Sequence, residues 1–97
     1  MTLQDKLSFL QGSIRNRAGR FSISRPMFEE HIDDLPQLFA GMVVVETRTS
    51  FYNDSIEYIA CGRMFDEGKE GEEVPWYDIL INRDAIGGVV IELQRRV

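Results

Sequence analysis

Met42-Val43-Val44-Val45-Glu46-Thr47-Arg48-Thr49 is the stretch that decides the fold class. Side chains branched at Cβ crowd a helical turn but pack well on a pleated surface, so this run predicts a strand. Residues 50–54 break it, with Asn53-Asp54 supplying turn chemistry, and residues 55–65 then resume with Ile56, Tyr58, Ile59 and Phe65. Two such runs joined by a short polar break predict an antiparallel hairpin. Asn53-Asp54-Ser55 matches a glycosylation sequon, and reads more simply as the turn itself.

Downstream, residues 76–81 predict a third strand with Tyr77, Ile79 and Ile81 on one face. Residues 82–88 predict a turn ending in Gly87-Gly88. Residues 89–93 then predict a fourth strand with Val89, Ile91 and Leu93 facing inward.

Upstream the period changes. Leu3, Leu7, Leu10 and Ile14 form one helical stripe behind the capping residue Thr2, and Gly19 is a natural stop, so a first helix is predicted from about Leu3 to about Ala18. Phe21 and Ile23 alternate with Ser22 and Ser24, a pattern for a short strand or an extended linker. Ser24 followed by Pro26 predicts a second helix start, with Phe28, Ile32 and Leu35 on its inner face. Pro36 ends or kinks that helix, and Asp34 is placed to cap a last turn from Leu35 to Ala40. The expectation is a single α+β domain over residues 1–97: two N-terminal helical segments packed on one face of an antiparallel β-meander of about four strands.

Composition fits one globular domain, with 43% hydrophobic and 28% charged residues. Cys61 is the only cysteine, which rules out an intrachain disulfide. The N-terminus lacks the apolar run of a signal peptide, and no stretch approaches the length of a membrane span, so the expected location is the cytoplasm of a host cell or bacterium, with no membrane contact. The net charge of −5 is unevenly spread. Residues 1–26 carry Lys6, Arg15, Arg17, Arg20 and Arg25 against Asp5 alone, whereas residues 27–40 carry Glu29, Glu30, Asp33 and Asp34 and no Lys or Arg.

No catalytic, cofactor or metal site is expected. His31 stands among acids, but only Asp34 lies one turn away, and a zinc site needs three or four converging ligands. Cys61 lies within an apolar run, more consistent with a small core residue than with a nucleophile. None of the glycines Gly68, Gly71, Gly87 and Gly88 opens a phosphate-binding loop.

Two charged segments remain. Arg15, Arg17, Arg20 and Arg25 either contact an anion or second partner, nucleic acid included, or pair with the acids of the second helix. Residues 66–73 place five carboxylates in eight positions, and Trp76 and Tyr77 follow closely. Asp66, Glu67, Glu70, Glu72, Glu73, Trp76 and Tyr77 are accordingly the expected partner-binding residues, since aromatics beside a wet acidic loop resemble an interface anchor.

The leading expectation is a small acidic, non-catalytic protein–protein interaction module. Its particular form is a phage- or mobile-element-type inhibitor that docks on a basic surface of a nucleic-acid-handling protein. The alternatives are nucleic-acid contact through the arginines, or a ligand-binding or homo-oligomeric module. In the ligand-binding case Tyr58, Met64, Trp76 and Tyr77 would line a pocket between helices and sheet.

Overall fold

The computed structural model describes residues 16–69 and 71–96. The first helix of the sequence reading lies almost wholly outside them. Its expected last residue, Ala18, opens a strand instead.

Among the described residues five strands dominate: β1 (Ala18–Ser24), β2 (Met42–Ser50), β3 (Ser55–Gly62), β4 (Tyr77–Arg83) and β5 (Val89–Arg95). Two short helices, α1 (Arg25–His31) and α2 (Leu35–Phe39), lie between β1 and β2. The strands form a three-stranded antiparallel sheet in the order β1-β3-β2 and a separate β4–β5 hairpin. The four-stranded meander under two N-terminal helices is therefore not the fold. One strand precedes the helices, and the β-structure is split in two.

The reasons are physical. Phe21 and Ile23 do alternate as a strand, and both are fully buried because β1 pairs with β3, setting Phe21 opposite Tyr58 and Ile23 opposite Ile56. β3 is thereby flanked on both sides and has no free edge for β4. The long acidic connection, ending in Pro75, instead carries the chain past the outer edge of β1. There Arg20 N donates to Pro75 O (2.9 Å), and Arg20 and Trp76 make an isolated parallel bridge.

The two local hairpins form as the residue pattern predicts. β2 and β3 pair from Met42 opposite Gly62 to Ser50 opposite Ser55, with one bulge between Val44 and Glu46 that leaves Val45 unpaired. Asp54 adopts a left-handed φ of 50°, which aspartate tolerates, and Arg25 Nε holds its carboxylate at 2.9 Å. At the β4–β5 turn Asp84 Oδ1 accepts from Ile86 N and Gly88 N, and Gly87 takes a φ of 85°.

The helices also follow local signals. Ser24 caps α1 by accepting from Met27 N, and proline occupies the first turn of each helix. Asp34 makes no capping bond, because its carboxylate faces His31 Nδ1 at 3.4 Å. Ile32, expected inside, is 67% exposed.

One core unites the parts. Phe21, Ile23, Ala60, Leu35, Leu38, Phe65 and Tyr77 form its centre, and Ile79, Ile91 and Leu93 of the second hairpin pack onto it. Gly19 is buried within β1, and its missing side chain is what admits Phe65 and Tyr77: an added Cβ would collide with the Phe65 ring and stand 2.9 Å from Tyr77 Cδ2. Gly19→Ala is therefore expected to destabilise the fold by about 1–3 kcal/mol through overpacking, read as a lower urea midpoint with an unchanged denaturant slope.

Candidate interaction surfaces

The acidic connection is pinned at both ends. At its start, Gly62 N donates to Arg17 O and Arg17 Nη1 to Phe65 O. Gly68 N donates to Asn16 O, and Asn16 Nδ2 to Glu67 Oε1. Asp66 is held twice, its N–H donating to Tyr77 Oη at 2.8 Å and its carboxylate facing Arg95 Nη1 at 3.3 Å. Glu72 and Glu73 stay exposed and have no ion-pair partner among the described residues, while Glu70 lies outside those residues. The carboxylates of the loop thus divide into structural ones near its base and open ones further along.

The two aromatics that follow are both engaged. Tyr77 is 3% exposed and packs edge-on against Phe65. Half-buried Trp76 has two guanidinium groups near its ring, with Arg20 Cζ 5.4 Å and Arg96 Cζ 5.2 Å from the centroid. Arg96 also donates to Asp78 Oδ1 through Nη2 at 2.6 Å, a contact that raises the guanidinium pKa further.

The arginines are dispersed. Arg15 lies outside the described residues, Arg17 serves the acidic connection, and Arg25 holds Asp54. Arg20 lies across the sheet face with Nε buried, unpaired by any hydrogen bond among the described residues and 3.9 Å from Glu57 Oε1. Around it, Glu46, Thr47, Arg48, Glu57 and Ile59 line a shallow depression of about 160 Å³ on the face away from the main core.

The expected ligand-pocket residues are not brought together. Tyr58 stacks on Phe21 under Phe39, Met64 borders Gly41 and Gly62, Trp76 lies by Arg20, and Tyr77 is in the core. His31 faces two carboxylates, Asp34 at 3.4 Å and Glu30 at 3.9 Å. Among the described residues no group of three or more His, Cys, Asp or Glu side chains is placed to hold a metal ion, and no helix is long and apolar enough to cross a membrane.

The β2–β3 turn carries a surface that the sequence reading passed over. Phe51 is 90% exposed and Tyr52 fully so, beside a groove of about 310 Å³ whose apolar lining includes Ile23, Phe28, Phe51 and Ile56. The signal was present: two aromatics inside a tight polar turn have no core within reach.

No family model matches the chain, and comparison with curated proteins and with solved structures returns no match.

Burial raises the pKa values of Cys61 and Tyr58 above their ordinary 9.0 and 10.0. The native state thus favours the neutral forms, and the stability this supplies is complete below the unfolded values and lost as pH rises through the native ones. Urea midpoints should stay level up to about pH 8 and fall above about pH 9, with a smaller fall for Cys61→Ala; a level profile to pH 10.5 would contradict this.

Proposed function

We propose that this chain is a non-catalytic protein–protein interaction module. The observation that carries the reading is the exposed pair Phe51–Tyr52 beside the apolar groove at the β2–β3 turn. A soluble domain rarely leaves large aromatics projecting into water side by side, and such side chains make strong anchors because they bury much area at little conformational cost. The rim of that groove is held in shape by the Arg25–Asp54 pair, so the surface is presented by a fixed turn.

The acidic connection leaves the opposite end of β3 and gives the module a second, differently charged surface. Glu72 and Glu73 are open to solvent, and a basic partner surface complements them. Docking on a nucleic-acid-handling protein, in the manner of a phage- or mobile-element-type inhibitor, is the form of this reading that the net charge of −5 and the open carboxylates favour.

The test is affinity capture from the native host with the wild type, with the Phe51→Ala/Tyr52→Ala double variant, and with Glu72→Ala/Glu73→Ala. Loss of two aromatic anchors at about 2 kcal/mol each should reduce capture of the principal partner by more than tenfold while leaving the melting temperature near that of the wild type. The acidic-loop variant should weaken capture less and lower its salt dependence. Equal capture by all three proteins would overturn the reading.

A further inference from the structure

The three-stranded sheet ends in β2, whose outer edge forms no backbone hydrogen bond among the described residues. An unpaired edge of nine residues without proline or lysine is a template for another strand. Its own sequence says which strand fits. Glu46 and Arg48 lie on the sheet face away from the main core, with Glu46 opposite Ile59 and Arg48 opposite Glu57 on β3. Neither makes an ion pair among the described residues, although both are exposed.

We propose that β2 pairs with β2 of a second copy of this chain, antiparallel, about a two-fold axis through Thr47. This rests on the reading above in taking the β2 side of the molecule as a contact surface, and it names the partner there. The register follows from charge. A two-fold antiparallel pair must be centred on a residue, because facing residues have to share a sheet face. Centring on Glu46 sets glutamate against glutamate, and centring on Arg48 sets arginine against arginine. Centring on Thr47 sets Glu46 against the partner's Arg48 and Arg48 against the partner's Glu46, with threonine facing threonine between them.

The charge row then continues across the joined sheet. Glu57, Arg48 and the partner's Glu46 stand side by side as acid, base and acid, and the two-fold axis repeats the row in reverse. The bulge between Val44 and Glu46 lies outside the three residues that make these pairs.

Apolar exposure agrees with the same orientation. Val43 and Val44 are exposed near the start of β2, and Phe51 and Tyr52 lie just past its end. An antiparallel copy brings the aromatic turn of each protomer beside the exposed valines of the other, removing both patches from water.

The test is sedimentation equilibrium of the purified chain with no other protein present. Wild type should reach a monomer–dimer equilibrium between micromolar and near-millimolar concentration. Glu46→Arg and Arg48→Glu should each raise the dimer dissociation constant about tenfold or more, because both cross-strand pairs become like-charged. Mixing the two variants should restore association as a heterodimer, since each then faces its opposite, and the double exchange E46R/R48E should self-associate like wild type. The restored pairing keeps the result independent of any loss of fold in a single variant.

A wild type that stays monomeric throughout overturns the self-pairing and leaves the capture experiment to stand or fall alone. A dimer indifferent to both charge reversals overturns the Thr47-centred register. Conversely, a charge-dependent dimer together with undiminished capture by the Phe51→Ala/Tyr52→Ala protein upholds self-pairing and rejects the wider reading of the aromatic turn.

Discussion

Gly19 lies under two aromatic rings, and the union of the two sheets depends on that closeness. Phe65 occupies the space that a side chain at this position would fill, and Tyr77, the first residue of β4, packs edge-on against it. Phe21, two residues along β1, stacks on Phe65 at a centroid distance of 6.5 Å. A run of aromatic contacts thus passes from the three-stranded sheet to the hairpin through one spot. The Tyr77 hydroxyl is satisfied there by Asp66 N, so the ring is buried without leaving its polar end unpaired. Few backbone hydrogen bonds cross this junction, among them Arg20 N to Pro75 O, and side-chain packing carries the rest.

That arrangement explains which parts of the structure local sequence could reveal. The β2–β3 and β4–β5 hairpins, the Ser24 cap and the second helical turn from Leu35 all follow from residues within one turn or one loop of each other. The role of β1 does not. Its alternation of Phe21 and Ile23 is visible, but its partner is the far strand of a hairpin formed much later in the chain, and no local pattern names it. The same holds for the charged residues. Arg17, Arg20 and Arg25 look like a cluster in sequence because they are close in number, yet a strand and a helix start aim them at Phe65, Trp76 and Asp54. Tyr77 reads as an exposed companion of the acidic loop only until the Gly19 gap is known. Phe51 and Tyr52, by contrast, are legible as aromatics in a tight polar turn, and their exposure follows from that position.

The architecture separates the properties that composition mixes. Phe51 and Tyr52 project from the β2–β3 turn, whereas the open carboxylates leave the other end of β3, the end beside which β2 starts with the exposed Val43 and Val44. Between them the outer sheet face alternates Arg20, Glu57, Arg48 and Glu46 around Ile59, so its charges largely offset one another. Trp76 closes that face on the β1 side, where Arg20 and Arg96 flank its ring. A net charge of −5 therefore describes the surface poorly. One end presents exposed aromatic side chains, and the other presents exposed carboxylates.

The pairing of β1 with β3 also shapes the order in which the chain is able to fold. β1 is the first strand described, but its hydrogen-bonding partner is not made until Ser55–Gly62 has been synthesised. Until then Phe21 and Ile23, both fully buried at the end, have no sheet to enter. The β2–β3 hairpin closes over a short turn and needs no distant segment, so it is the natural platform onto which β1 docks. Nascent chains of this protein consequently spend the interval between those two strands with an aromatic and a β-branched side chain open to water. During that interval it is the charged residues flanking them, Arg17, Arg20 and Arg25 among them, that oppose premature association.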